Sequence, residues 1–289
     1  MAADIGLGCV TFGREIDKQT SFALMDHARA MGVKTFDTAA VYGNGSSETI
    51  VGEWLAERGV KTDEISIATK ILPPYTAGGI RASVEASLKR LGIPVIELLY
   101  LHRWDDLLNH PLAWLTLDRL KTEGKIKAIG ASNFNQQQLT NAIGLVKSLG
   151  VVRLSYIQNN HNLAVSDITA QMKTLCAENN INIVTYSPLG AGFLTGKHLN
   201  GVAANSRFAI MPAHQDIYFN EHANQRLQKL LDVARRTGHT PALLAMAWAL
   251  HQPQIHAVLI GGRSVQQLDL AGEAIKFYAP EIFAELESV

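Results

Sequence analysis

The amino-acid sequence predicts an α/β fold: a closed (β/α)8 barrel with an enlarged loop between its seventh and eighth strands. Three observations carry that expectation. Strand-like apolar runs, centred near Leu7, Phe36, Ala68, Leu99, Ala128, Tyr156, Thr185 and Leu259, alternate with amphipathic segments. The first seven recur at roughly 30 residues, the size of one strand–helix–strand unit. Most of the runs end on polar residues: Asp37, Lys70, His102, Ser132-Asn133, Gln158 and Tyr186-Ser187, with Gly261-Gly262 closing the last. A parallel barrel collects its working residues at the carboxyl ends of its strands.

The elements follow in order. The run from Gly32 to Phe36 reads as a strand that delivers Asp37 to its end, with Tyr42 five residues on in the loop above. Lys18 to Met31 places Leu24, Met25, Ala28 and Met31 on one helical face, and Ile80 to Leu91 does the same with Val84, Leu88 and Leu91. Leu115 to Lys121 and Gln136 to Leu149 read likewise. Ser46 with Glu48 in the first turn reads as a helix cap, and Pro111 and Pro241 fall near first-turn positions. The last spacing, from Thr185 to Leu259, is more than twice the others, and Gly190 to Asn220 reads as an inserted loop. No linker rich in proline or serine divides the chain, so residues 1–289 are expected to form one domain.

Composition narrows the function. The 289 residues are 47% hydrophobic and 18% charged with a formal net charge of zero. That suits a soluble globular chain and offers no basic stripe for nucleic acid or an anionic membrane. The longest apolar run, Ala242 to Leu250, is far shorter than the roughly 20 residues that span a bilayer. The first residues show neither the basic segment nor the apolar core of a secretory leader. Two distant cysteines, Cys9 and Cys176, suggest a reducing compartment. A cytoplasmic protein acting on a small molecule, as a monomer or small homo-oligomer, is the expectation.

The strand ends suggest the chemistry. Lys70 closes the apolar run Ser66-Ile-Ala-Thr-Lys70 and should pair with Asp37. An ammonium near Tyr42 favours the phenolate and should lower that phenol's pKa, ordinarily about 10. His102 ends Leu98-Leu-Tyr-Leu-His102 at the same mouth. A phenol acid, a lysine, a carboxylate and a histidine together suit a carbonyl oxygen that becomes an alkoxide. The chain carries no His-Glu-x-x-His motif, cysteine cluster or Gly-x-Gly-x-x-Gly motif, and the residues alone do not name the hydride source.

At these positions the chain resembles the aldo-keto reductases. The resemblance runs from Gly6-Leu-Gly8 to about Ile275. It rests on Phe36-Asp-Thr-Ala-Ala-Val-Tyr-Gly43, Ala68-Thr-Lys70, Ser87-Leu-Lys-Arg-Leu-Gly92, Leu98-Leu-Tyr-Leu-His102, Gly124-Lys-Ile-Lys-Ala-Ile-Gly-Ala-Ser-Asn-Phe134 and Tyr186-Ser-Pro-Leu-Gly190, in that order and spacing. It implies a TIM barrel that binds NADPH (NADP+), rather than NADH, without a Rossmann domain. It implies a catalytic tetrad of Asp37, Tyr42, Lys70 and His102, with Tyr42 the general acid in reduction. Ser132, Asn133 and Gln158 match positions that hold the nicotinamide carboxamide, and Tyr186 the aromatic that stacks on its ring. Ser187, Leu189, Gly192, Leu194 and Gly196 match the pyrophosphate-binding stretch, and Arg263, Ser264 and Gln267 the adenosine-phosphate end.

The chain departs from the family at three places. His161 stands where tyrosine is usual, Gln267 where arginine is common, and Ala271 where an adenine-binding asparagine is usual. Phe12, Val41 and Trp104 are expected to line the substrate pocket, with Phe208, Met211, Tyr218 and Phe219 as further candidates. Such a wall suits apolar or aromatic aldehydes and ketones and also packs sugars. The leading reading is thus an NADPH-dependent carbonyl reductase. The alternatives are a nicotinamide-binding regulatory or sensor subunit with little turnover, and a Schiff-base lyase that uses Lys70 as nucleophile.

Overall fold

Eight parallel strands close on themselves in the computed structural model, which describes residues 2–288. They are β1 (Asp4–Gly8), β2 (Thr35–Asp37), β3 (Ser66–Ile71), β4 (Ile96–Leu101), β5 (Ile126–Ser132), β6 (Leu154–Asn162), β8 (Asn182–Tyr186) and β9 (Ile255–Ile260). The two-residue β7 (Val165–Ser166) folds back antiparallel on the end of β6. The order β5-β4-β3-β2-β1-β9-β8-β6, closed by pairing of β5 with β6, is the predicted barrel. The helices are α1 (Lys18–Ala30), α2 (Ser46–Arg58), α3 (Ala77–Leu91), α4 (Pro111–Thr122), α5 (Gln136–Leu149), α6 (Ala170–Glu178), α7 (Arg207–Ile210), α8 (Gln215–Tyr218), α9 (Glu221–Thr237), α10 (Pro241–Leu250), α11 (Val265–Ala274) and α12 (Pro280–Glu287). No helix among the described residues is long and apolar enough to cross a membrane.

Strand periodicity sorts the side chains into two cores. Successive residues face opposite sides of a strand. Phe36, Ile67, Leu99, Leu101, Ile129 and Ala131 face outward into the large core under the helices. Ala68, Leu98 and Tyr100, with Ala128 and Tyr156 against them, pack apart from it as the barrel filling, and so do Val184, Ala257 and Leu259. Gly130 belongs to this inner set because a Cβ there would lie 2.5 Å from the Tyr100 ring. The same alternation aims the next inward positions, Asp37, Lys70 and His102, at the carboxyl mouth.

Two local readings are corrected. Ser46 is not a cap: the N-cap of α2 is Gly45, which takes a left-handed φ of 93°, and its backbone conformation ends the turn without a side-chain acceptor. Glu48 instead turns inward. The inserted stretch is also more than a loop. A 3-10 turn (Gly190–Thr195), α7 and α8 occupy it, and α9 and α10 follow before β9. The apolar run of α10 is explained by its burial on every side from Leu243 to Leu250.

Helix α2 approaches α3 so closely at Gly52 that a Cβ would sit 2.5 Å from the Leu91 carbonyl oxygen. Gly144, inside α5, has nothing within 4 Å of its virtual Cβ. Gly52→Ala should therefore lose about 1–3 kcal/mol by overpacking. Gly144→Ala should gain about 0.5–1 kcal/mol by relieving helical glycine. Thermal melts of the two variants should shift in opposite directions; a shared sign would refute the close-contact reading.

Candidate active site

The mouth of the barrel is built around a buried ion pair. Lys70 is 1% exposed, and its ammonium contacts an Asp37 carboxylate oxygen and donates to the Thr38 carbonyl at 2.9 Å. The other Asp37 oxygen accepts from Gln158 Nε2 at 2.9 Å, a bond that crosses the barrel from β6. Tyr42 opens the short 3-10 turn Tyr42–Gly45 above this pair, and its ring centroid lies 4.9 Å from Lys70 Nζ. The His102 ring stands edge-on to Tyr42 at 5.8 Å between centroids. The four residues expected to meet do meet.

Electrostatics assign their charge states. Burial raises the Asp37 pKa, while Lys70 and Gln158 oppose the rise. Burial would lower Lys70, but the Asp37 carboxylate and Tyr42 outweigh it and hold the ammonium above its ordinary value. Tyr42 departs from expectation. Lys70 acts on it in the foreseen direction, but burial exceeds that effect and the phenol's pKa lies above its ordinary value. Tyr42 is therefore protonated at neutral pH. His102 is pushed down to about 3, by burial first and then by Lys70 and Arg103. Its Nδ1 is buried with no hydrogen-bond partner among the described residues.

Beside these residues the ends of β5, β6 and β8 form an oriented wall. Tyr186 Oη donates to Asn133 Oδ1 at 2.6 Å, and Asn133 Nδ2 donates to the His102 carbonyl at 3.0 Å and to Ser132 Oγ at 3.1 Å. Asn133 and Ser187 both adopt positive φ, 58° and 57°, where the strands turn away. A cavity of about 770 Å³ runs from this wall to the ends of β1 and β9, roomy enough for a sizeable ligand. Tyr42, His102, Ser132, Asn133, Gln158 and Tyr186 line one end, and Gly261, Gly262, Arg263, Gln267 and Leu270 the other.

Between these ends lie Ser187, Leu189, Gly192 and Lys197. Gly190, Ala191 and Gly192 take left-handed φ of 57°, 56° and 94°, and the Gly190 and Gly192 amides donate within the turn, to the Ser187 and Leu189 carbonyls at 2.8 and 3.0 Å. A Cβ on Gly192 would lie 2.8 Å from Lys197 Nζ, so the ammonium packs directly on this turn. The Lys197 ammonium and the Ser187 hydroxyl on the cavity wall are donors that can meet a dinucleotide diphosphate. At the far end the Arg263 amide donates to Gln267 Oε1 at 2.7 Å, and Arg263 Nη1 donates to the Asn205 carbonyl at 2.6 Å. Arg263 thus reaches the inserted segment across the cavity.

Several expected residues sit elsewhere. Phe12 is fully buried in the outer core and does not line the cavity. Trp104 packs edge-on against Phe134 at 5.1 Å and is also off the lining, whereas Val41 is on it. Leu194 is buried in the core, and Gly196 and Ser264 do not line the cavity; Gly196 ends the 3-10 turn with φ 79°. Phe208, Tyr218 and Phe219 stack on one another, with Phe193 and His198, and fasten the insertion; only Met211 of that set faces the cavity. Ala271 is buried in the core on α11, and His161 is buried against Trp248 at 5.4 Å between ring centroids, its pKa lowered to about 4 by burial.

The reading of the sequence overlooked Lys197, Arg14, Glu15 and Arg207. Lys197 follows directly on the stretch Gly192 to Gly196, so its signal was available. Arg14 lies two residues after Phe12 and Arg207 directly before Phe208, the aromatic positions that drew attention instead.

A sequence profile of the aldo/keto reductase family matches residues 4–288. The chain belongs to the aldo/keto reductase family. It is 31% identical to the Bacillus subtilis protein named uncharacterized oxidoreductase YrpG, over 91% of this chain and 84% of that one. It is 30% identical to a probable aldo-keto reductase 1 of Glycine max, over 99% of this chain and 85% of the relative. It is also 30% identical to a probable voltage-gated potassium channel subunit beta of Arabidopsis thaliana, over 97% and 90% of the two chains. As an aldo/keto reductase the chain is an oxidoreductase built on a (β/α)8 barrel.

The depressed His102 pKa gives a pH prediction. The unfolded histidine binds a proton near pH 6.5, which the folded imidazole refuses until about pH 3. Its contribution to stability is complete above about pH 6.5 and is lost as the pH falls from there towards 3. By NMR the His102 Cε1–H resonance should not titrate between about pH 5 and 8. A midpoint near 6.5 would show that the ring is not held neutral.

Proposed function

We propose that the chain is an NADPH-dependent carbonyl reductase, reducing aldehydes and ketones or oxidising the corresponding alcohols or sugars, with Tyr42 as general acid. The observation that carries this is the convergence of Tyr42, His102 and the Lys70–Asp37 pair at the cavity end that Asn133, Gln158 and Tyr186 also line. NADPH bound there supplies the hydride. Tyr42 gives its proton to the carbonyl oxygen, and Lys70 stabilises the phenolate left behind. His102, neutral at working pH, hydrogen-bonds the same oxygen and orients the carbonyl. Tyr186 offers a fixed ring plane for the nicotinamide, with Ser132, Asn133 and Gln158 at its carboxamide. Ser187, Leu189, Gly192 and Lys197 take the diphosphate, with Leu194 and Gly196 shaping the turn. Arg263 takes the 2′-phosphate, with Ser264 and Gln267 beside it. Apolar or aromatic carbonyl compounds fit beside Val41 and Met211.

A second reading, a nicotinamide-binding regulatory or sensor subunit with little turnover, is favoured by the likeness to the protein named as a potassium channel subunit beta. Stopped-flow traces with a reactive aldehyde separate the two: the reductase oxidises bound NADPH within one catalytic cycle, and the sensor does so far more slowly.

Tyr42→Phe should fold and bind NADPH but turn over roughly 10²- to 10⁴-fold more slowly, the usual contribution of a positioned acid. Near-normal turnover in this variant, with chemistry rate-limiting, would remove Tyr42 from the role.

Cofactor choice should rest on Arg263. The guanidinium fork suits phosphate, and a charged hydrogen bond contributes about 1.5–3 kcal/mol. Wild type should bind NADPH more tightly than NADH. Arg263→Ala should weaken NADPH by about one to two decades and leave NADH within a few-fold. Fluorescence titration of both cofactors checks this, and equal affinities in the wild type would end the proposal.

A further inference from the structure

The last rung between β3 and β4 is the bond from the His102 amide to the Ile71 carbonyl, at 3.0 Å. Beyond it the two strands end, and a side chain supplies the next link. Tyr75, four residues after Ile71, is 1% exposed and turns its hydroxyl back between the strand exits. Its Oη lies 3.1 Å from the Ile71 carbonyl oxygen and 3.0 Å from the Arg103 carbonyl oxygen, and the Arg103 amide donates to Oη over a long 3.5 Å. The single hydroxyl proton serves either carbonyl, so one phenol joins the residue after Lys70 to the residue after His102. Burial raises the Tyr75 pKa, which keeps that proton in place.

This link matters because the His102 ring lacks an anchor of its own. A functional histidine is usually aimed by the hydrogen bond that its second ring nitrogen makes. His102 Nδ1 is buried and has no partner among the described residues. The edge-on stance of the ring at Tyr42, 5.8 Å between centroids, therefore depends on its backbone and on packing. That backbone is held by the His102 amide on Ile71, by Asn133 Nδ2 on the His102 carbonyl at 3.0 Å, and by the Tyr75 hydroxyl at Arg103. Asn133 lines the cavity and belongs to the proposed cofactor set, whereas Tyr75 lies off the lining. Tyr75 is thus placed to serve His102 without touching a ligand.

We propose that Tyr75 is a positioning residue: its hydroxyl, shared between the Ile71 and Arg103 carbonyls, fixes the exit of β4 and so aims the His102 ring at the reacting carbonyl oxygen. The identity of that oxygen rests on the carbonyl-reductase reading above. That Tyr75 orients His102 does not, and the two are tested apart.

Single-turnover hydride transfer from saturating NADPH to 4-nitrobenzaldehyde, followed by stopped flow, would compare wild type, Tyr75→Phe, His102→Ala and the double variant. Tyr75→Phe removes only the hydroxyl. It should slow hydride transfer roughly 10- to 100-fold, the scale of a misplacement of about 1 Å. The NADPH dissociation constant should move less than about twofold, because Tyr75 lies off the cavity lining. In the His102→Ala background the same substitution should cost less than about twofold, because a residue that acts through His102 then has nothing to aim. Gly52→Ala, whose fault lies between α2 and α3, controls for lost stability and should transfer hydride at the wild-type rate. Equal slowing by Tyr75→Phe in both backgrounds overturns the proposal. So does a Tyr75→Phe rate equal to that of wild type, or a matching slowdown in Gly52→Ala. If Tyr75→Phe does not fold, Tyr75→4-aminophenylalanine, which keeps a donor at the same place, enters the cycle instead. Its smaller loss should likewise vanish in the His102→Ala background, and a loss that persists there overturns the proposal. Should wild type reduce no aldehyde, the reductase reading fails on its own, and NMR decides the positioning role. The His102 Cε1–H resonance should shift or broaden in Tyr75→Phe and stay unchanged in Gly52→Ala. An unchanged resonance in Tyr75→Phe overturns the proposal.

Discussion

Everything at the barrel mouth depends on one buried ion pair, Lys70 with Asp37. Both charges are buried from solvent, and each is tolerated because the other and a few fixed dipoles stand beside it. The Thr38 carbonyl accepts from the ammonium, and Gln158 donates to the carboxylate from the far wall of the barrel. Removing one partner of such a pair typically costs about 3–5 kcal/mol, because the survivor remains buried and unmatched. The pair therefore couples folding to function. The barrel closes properly only with β2, β3 and β6 in the register that unites these side chains, and the same register sets Lys70 under the Tyr42 ring.

The outer face of the same strand carries a second network that keeps this register. Thr69 points away from Lys70 and donates to Glu48 Oε1 at 2.5 Å, while Arg90 Nε donates to Glu48 Oε2 at 2.6 Å. Glu48 is fully buried, and its carboxylate ties α2 to β3 and to the end of α3. Ser47 adds a bond from its hydroxyl to the Cys9 carbonyl at 2.8 Å, and pairs with the Thr38 hydroxyl at the same distance. The sequence segments Ser46-Ser-Glu48 and Ser87-Leu-Lys-Arg90 are the frame behind the strand ends that carry Asp37 and Lys70.

The barrel and the tetrad were legible because both follow from short-range rules. Alternation along a strand fixes which residues face inward, and a polar residue that ends an apolar run must emerge at the mouth. Asp37, Lys70 and His102 obey this rule alone, and Tyr42 follows from its distance to Asp37. The charged side of the cavity was less legible for a physical reason. Arg14, Glu15 and Arg207 meet across nearly two hundred residues, from a turn after β1 and a helix of one turn, and no periodicity announces either. Phe208 and Tyr218 misled because an aromatic residue in an insertion carries the same signal whether it walls a cavity or fastens the insertion to itself. The Tyr42 pKa misled in its net direction: a neighbouring lysine can be read from the sequence, whereas the desolvation that outweighs it and raises the pKa depends on the closed mouth.

That desolvation gives the site a direction. A phenol whose pKa is raised by burial holds its proton at neutral pH, and the imidazole beside it, with a pKa near 3, holds none to compete. In the proposed role the resting site is loaded to donate one proton, from Tyr42, to an oxygen that gains negative charge. Lys70, and Arg207 at a greater distance, then favour the phenolate that remains. The reverse reaction must begin from that phenolate, which is scarce until the pH approaches the raised pKa. In that proposed role proton donation is available near neutrality, and the phenolate that the reverse step needs becomes available only as the solution turns alkaline. Burial at the barrel mouth sets the Tyr42 proton, and Lys70 beneath the ring offsets part of the cost of its phenolate.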